Sequence, residues 1–214
     1  MTFKAIRILL SALLFHSQYA MMPVKTAKKA LAVSVLLHMK SSKKEGHRSY
    51  SECSGTYVAP TLILTAAHCF VGEDQEYVWA RGIDDSVGYP VHVVRLNGYM
   101  DLALLEAPYA HAYARLGPMP SQGDGVLNVG SPFNFEFVVS EGVVGMVGMR
   151  IRGYISHYLV TTAMINPGSS GGGAFDNKGR LIGVNTMLVG FLGWSGISLA
   201  VSVDDVRVFL ADIV

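Results

Sequence analysis

Thr161-Thr-Ala-Met-Ile-Asn-Pro-Gly-Ser-Ser-Gly-Gly-Gly173 is the stretch on which the reading of this chain turns. Two adjacent serines stand between Gly168 and a run of three glycines, just after a short apolar segment. Glycines beside a serine let the backbone turn sharply and bring its N–H groups close to whatever binds there. A serine hydroxyl is a poor nucleophile until a base accepts its proton. The same composition suits a Gly/Ser-rich surface turn. A catalytic meaning therefore requires a base and an orienting acid elsewhere in the chain, in a compatible order.

Working outward, 214 residues fit one domain or two small lobes packed as a unit. A hydrophobic content of 50% against 15% charged residues describes a core-rich globular protein. The formal net charge of +1 gives no electrostatic reason to expect nucleic acid or an anionic surface as partner. Abundant glycine and short runs rich in Val, Ile and Tyr favour many short strands joined by tight turns. The two cysteines, Cys53 and Cys69, either pair or stay reduced. No further Cys-x-x-Cys or His-x-x-His spacing completes a metal site around His68-Cys69, so neither metal nor cofactor is expected. A disulfide would point to an oxidising compartment.

Residues 1–20 have a basic start followed by the apolar run Ile8 to Phe15, the pattern of a secretory signal peptide cleaved after Ala20. The run is far shorter than the roughly 20 residues of a spanning helix, so no stable membrane span is expected. A secreted or periplasmic location follows. Ala30 to Met39 reads as a first buried strand and Ser41 to Ser51 as a polar hairpin loop. Strands are expected at Cys53–Val58, Leu62–Thr65, Tyr77–Ala80, Val91–Arg95 and Leu102–Glu106. Residues 108–124 carry three prolines with glycines and polar residues and read as an inter-lobe linker. Beyond it, strands are expected at Val126–Val129, Phe137–Met149, Tyr154–Ala163, Gly173–Phe175, Leu181–Met187 and Ile197–Val201. Ser202 is placed to cap a final helix whose Val203, Val206, Phe209, Leu210 and Ile213 share one face.

Of the histidines, His68 stands apart, with Ala66-Ala67 and Cys69 around it at the end of an apolar strand. Among the aspartates between His68 and Ser170, only Asp101 leads directly into an apolar strand, Leu102-Ala-Leu-Leu105, which would carry its carboxylate into a buried setting. An ordinary strand-start aspartate would look the same.

Thr65-Ala-Ala-His-Cys69, Asp101-Leu-Ala-Leu-Leu105 and Gly168-Ser-Ser-Gly-Gly172, in that order, resemble the three signatures of chymotrypsin-fold serine proteases. Asn166-Pro-Gly-Ser-Ser-Gly-Gly172, Gly179-Arg-Leu-Ile-Gly-Val-Asn185-Thr and Gly196-Ile-Ser-Leu-Ala-Val201 resemble the HtrA branch and its bacterial trypsin-like relatives. The resemblance spans roughly residues 28–212. It implies an all-β chymotrypsin-like fold of two six-stranded barrels with a short C-terminal helix, over residues 28–214. Barrel 1 would occupy about 28–107, the linker 108–124, and barrel 2 with the helix 125–214.

The activity implied is serine endopeptidase action on protein or peptide substrates. A binding protein without catalysis on the same fold is the alternative. Ser170 would attack the peptide carbonyl, His68 would take its proton, and Asp101 would hold the imidazole. The N–H groups of Gly168 and Ser170 would form the oxyanion hole. The resemblance also implies a Cys53–Cys69 disulfide and a pocket for the residue before the scissile bond. Met164 would form the floor of that pocket, with walls from Asn185, Met187, Ile197 and Leu199. None of these carries a charge, so small or aliphatic substrate residues are expected there.

Gly168-Ser-Ser-Gly-Gly172 also fits the nucleophile elbow of α/β-hydrolases, but that fold needs a histidine after the serine, and the last is His157. A subtilisin-like order needs an aspartate before the histidine, and none precedes His68. Two departures matter. Ser169 stands where digestive trypsins carry the aspartate that binds the new N-terminus, so trypsin-style activation is not expected. No PDZ domain, usual after HtrA proteases, is expected up to Val214.

Overall fold

The computed structural model describes residues 22–42, 48–70, 75–191 and 194–213; the expected signal peptide lies outside them. The described residues open with helix α1 (Val24–Leu31), which turns Thr26 and Ala30 inward, one helical turn apart. The Thr26 hydroxyl donates to the carbonyl of Asn177 at 2.9 Å. Lys28 and Lys29 sit in the last turn, where the helix dipole favours cations.

Strands β1 (Ser34–Ser42), β2 (Arg48–Ala59), β3 (Leu62–Thr65), β4 (Gln75–Gly82), β5 (Tyr89–Pro90), β6 (His92–Asn97) and β7 (Leu102–Glu106) form the first sheet. The order is β5-β4-β1-β2-β3-β7-β6 and every pairing is antiparallel. Its edge strands β5 and β6 are successive parts of one extended run divided at Val91. That single run pairs with β4 at one end and β7 at the other, which rolls the sheet toward a barrel. The second unit is a closed barrel of β8 (Gly125–Gly130), β9 (Val138–Arg150), β10 (His157–Thr161), β11 (Gly173–Phe175), β12 (Leu181–Phe191) and β13 (Trp194–Ser202).

Strand β7 of the first sheet is buried on both faces, and this joins the units. Ala103 and Leu105 of β7 enter the core of the first sheet, with Val35, Leu37 and Ile63. Leu102 and Leu104 face the other way and pack with Leu64, Tyr158, Phe175 and Val201 in a core shared with the second barrel. Helix α2 (Val203–Leu210) closes this shared core through Val206, Phe209 and Leu210. Ser202 caps it by accepting from the Asp205 N–H. From β6, the Arg95 guanidinium donates to the Phe209 carbonyl at 2.7 Å and to both Asp212 carboxylate oxygens at 2.7 and 2.9 Å. The first unit therefore grips the C-terminal end of α2.

Four expectations change. Ala30 and Leu31 end a helix and do not start a strand, because Lys25, Lys28 and Lys29 give that segment one wet face at helical spacing. Part of the polar Ser41–Ser51 stretch is strand: the β1–β2 ladder runs out to Ser42 and Arg48, held by backbone bonds that polar side chains do not oppose. The first unit is a seven-stranded sheet, with its ladder broken at Val91, where six strands were expected. Ile213 lies past the end of α2 and is 40% exposed, outside the buried stripe.

Candidate active site

His68 sits in a tight 3-10 turn, Ala67–Cys69, directly after β3. Ala66 and Ala67 are fully buried and anchor the turn, while the His68 side chain remains 41% exposed. Asp101 enters β7 through a left-handed backbone, φ 55°, which aspartate tolerates better than bulkier residues. That turn sends its carboxylate, 2% exposed, back toward the histidine. His68 Nδ1 lies 3.0 and 2.9 Å from the two carboxylate oxygens, and the His68 backbone N–H donates to one of them at 2.8 Å. The Thr186 hydroxyl of β12 donates to the other. The imidazole is thereby held edge-on to a buried acid, with Nε2 turned away from it.

The serine turn comes from the second barrel, between β10 and β11. Gly168 takes φ +100°, and a Cβ there would lie 2.4 Å from the Ser131 carbonyl oxygen. Gly171 takes φ +83° and presses on the histidine strand. A Cβ there would lie 2.0 Å from Thr65 Oγ1, 2.3 Å from the Ser54 oxygen and 2.8 Å from the Ala66 nitrogen. Ser170 is thus one residue from a backbone contact with the segment that carries His68. Ser169 is 4% exposed and its Oγ accepts from the Asn166 N–H at 3.3 Å, so it points inward, whereas Ser170 is only partly buried.

Backbone bonds orient the turn. The Pro167 carbonyl accepts from Phe133 N–H at 3.0 Å and the Ser169 carbonyl from Gly172 N–H at 3.0 Å. In a trans peptide the N–H points opposite to the carbonyl. The N–H groups of Gly168 and Ser170 therefore turn away from those partners, and no backbone carbonyl among the described residues accepts from either. Phe133 pays for this contact with a left-handed backbone, φ 52°. Its loop is held to the first sheet by an ion pair between Arg81 and Glu136.

Ser54 of β2 ties these parts together, and the sequence reading missed it. Its N–H donates to the Ser170 carbonyl at 2.8 Å, and its own carbonyl accepts from Thr65 Oγ1 at 2.7 Å. Its hydroxyl donates to the Gly168 carbonyl at 2.8 Å and accepts from Ser131 N–H at 2.9 Å. Ser54→Ala strips the Gly168 carbonyl and a buried N–H of their partner, a cost of about 1–3 kcal/mol. Urea denaturation is expected to show that loss. Turnover of a peptide substrate is expected to fall about tenfold with little change in KM, since the damage is to the serine turn.

Cys53, the neighbour of Ser54, is disulfide-bonded to Cys69, the neighbour of His68. The bond pins the histidine turn to β2. Closing a loop of sequence separation 16 is worth about 3 kcal/mol in the chain-entropy model. Replacing both cysteines by serine is expected to lower unfolding stability by about that amount, read by urea titration.

The expected pocket residues are only partly brought together. Met164 and Asn185 line one cavity of about 150 Å³ with Ser169, Ile165, Asn166 and Asn128. Asn185 is 1% exposed, and its amide has no protein partner among the described residues, so this cavity is uncharged but not wholly apolar. Ile197 is 46% exposed, while Leu199 is buried in the core shared by the two units. Met187 lies on β12, with its side chain outside the described set.

Residues 53–184 match the family model described as trypsin-like peptidase domain. The chain is 30% identical over 159 residues to the magnetosome formation protease MamE of Paramagnetospirillum magneticum, covering 71% of this chain and 22% of that protein. It is 33% identical over 159 residues to the mitochondrial serine protease HTRA2 of Drosophila ananassae, covering 70% of this chain and 36% of that one. The chain spans well under half the length of these curated relatives. A solved structure of the HtrA-type protease AlgW with tripeptide superposes with TM-score 0.77 at 24% identity, over 88% of this chain and 62% of the other, a likeness of fold.

Proposed function

Since the chain belongs to the trypsin-like peptidase domain family, we propose that it is a serine endopeptidase in which Ser170 is the nucleophile. Ser170 Oγ attacks the peptide carbonyl as its proton passes to His68 Nε2. The resulting imidazolium keeps its Nδ1–H on Asp101, whose carboxylate is held in place by the His68 N–H and the Thr186 hydroxyl. The N–H groups of Gly168 and Ser170 receive the oxyanion. Collapse of the tetrahedral adduct expels the amine, which takes the proton from His68. A water molecule then repeats the sequence on the acyl-enzyme and releases Ser170.

The observation that carries this reading is a half-exposed His68 held on a buried Asp101, with the serine turn locked to β2 by Ser54 and pressed through Gly171 against the segment that carries His68. The residue before the scissile bond is uncharged, small or aliphatic. Supporting this, the cavity beside Met164 offers no charge to a buried Lys, Arg or Glu. The disulfide favours a secreted or periplasmic setting. No helix among the described residues is long and apolar enough to cross a membrane.

Incubation with unfolded casein, followed by sequencing of the new chain ends, tests both parts. Cleavage after Val, Ala, Leu or Met is expected. Dominant cleavage after Lys, Arg or Glu would refute the pocket, and no cleavage by the folded, oxidised chain would refute the activity.

A further inference from the structure

On the outer face of the first sheet, three neighbouring strands set six residues in register. His38 lies between Glu52 and Trp79, and Lys40 lies between Tyr50 and Tyr77. Side chains alternate along a strand. Leu37, Met39, Cys53, Val78 and Ala80 fill the core, so the block of six lies on the opposite, outer face. An outward sheet face is ordinarily polar. Here Tyr50 is 74% exposed, Tyr77 57% and Trp79 44%. These rings border a groove of about 330 Å³ whose other walls are His38, Met39 and Lys40. The Lys40 ammonium stands 5.3 Å from the centre of the Tyr77 ring.

A second groove of about 310 Å³ shares His38, Met39 and Tyr50 with the first and ends at Pro167 and Gly168. The two make one trough from the serine turn to Trp79. Its direction follows from what flanks Ser170. The Ser170 carbonyl is held by Ser54 of β2, and the next residue, Gly171, is held by Asn185 of β12. With the residue before the cut seated on the Met164–Asn185 side, the chain after the cut must leave along β2. From Ser54 back to Tyr50 is about 13 Å of strand, which an extended peptide covers in about four residues.

We infer that this trough binds the leaving-group half of a polypeptide substrate, and that Tyr50, Tyr77 and Trp79 select an aromatic or large aliphatic side chain about three to five residues after the scissile bond. The inference rests on the proteolytic reading above. Aromatic pairing adds to apolar burial when ring meets ring, so the preference is strongest for Phe and Trp.

Two fluorescein-labelled peptides test it on the full chain carrying Ser170→Ala, with affinity read by anisotropy. Both have Ala-Ala-Val before the intended cut and Ser-Gly after it; one continues Phe-Trp-Phe and its twin Ser-Gly-Ser. The aromatic peptide is expected to bind at least about fivefold more tightly. Tyr77→Ser with Trp79→Ser should erase that advantage, and Trp79→Phe should keep it. Equal affinity of the two peptides, or an advantage that survives the double substitution, overturns the inference. So does a dimer in sedimentation that dissociates on Trp79→Ser, which would give the face to a second copy. Hydrolysis of a nitrophenyl ester by the unsubstituted chain reads the catalytic proposal separately, because an ester ending at the scissile bond never enters the trough.

Discussion

With Ser170 replaced by alanine, kcat/KM for a peptide substrate is expected to fall by about ten-thousand-fold or more, while the unfolding midpoint in urea stays where it was. The two halves of that expectation have separate causes. The hydroxyl is the proposed attacking group, so its loss removes the covalent route altogether. The bond that Ser170 makes to the frame is through its carbonyl, to the N–H of Ser54, and alanine keeps that carbonyl. Ser169→Ala should behave in the opposite way. It loses an inward hydrogen bond to the Asn166 N–H, a change of about 1 kcal/mol, and turnover should fall no more than about tenfold. A dead Ser169 variant beside an active Ser170 variant would mean that the nucleophile is one position earlier.

Gly171→Ala should cost both stability and activity. The added Cβ would lie 2.0 Å from Thr65 Oγ1 and 2.3 Å from the Ser54 carbonyl oxygen. Those two atoms are bonded to each other at 2.7 Å, so neither can withdraw without breaking that bond. The backbone at φ +83° adds the strain of a left-handed residue, about 1–2 kcal/mol. A loss of at least about 3 kcal/mol is expected, in the range that marks severe core disruption. The serine turn should also separate from the histidine strand. Gly123→Ala provides the control: its φ is +93°, but nothing lies within 4 Å of the new methyl group. It should show the backbone strain alone and leave turnover intact. Equal effects of the two substitutions in urea titration and kinetics would contradict the contact assigned to Gly171.

The residues that could be read from the sequence are those whose chemistry is announced by their neighbours. His68 stands between buried alanines and a cysteine, and Asp101 opens an apolar strand; the structure places the two within hydrogen-bond distance. Strands β3, β7 and β11 fall where their apolar runs predict, since runs of three to five residues are too short for a helix. Ser54, Ser131 and Phe133 gave no such signal. Their importance comes from which carbonyl or N–H they meet across the two units, a relation that no local pattern encodes. Thr186 enters the sequence reading only as the last residue of the Gly179 to Thr186 motif, with no role of its own, and its hydroxyl serves Asp101. The outer ends of β1 and β2 were hidden because backbone pairing, not side-chain burial, makes them strand. Leu199 was placed in a pocket by analogy, yet alternation along β13 turns it into the core. The break at Val91 was equally invisible, since one extended run serves two edges of a sheet only after the sheet has rolled.

Ser170 is proposed to be made nucleophilic by His68 and Asp101. Reaction of the folded, oxidised chain with a serine-directed fluorophosphonate, followed by peptide mass mapping, reads it most directly. One adduct is expected, on Ser170, and it disappears with His68→Ala although that substitution leaves the serine in place. An adduct on Ser169, labelling that persists without His68, or no labelling of the folded chain would contradict it.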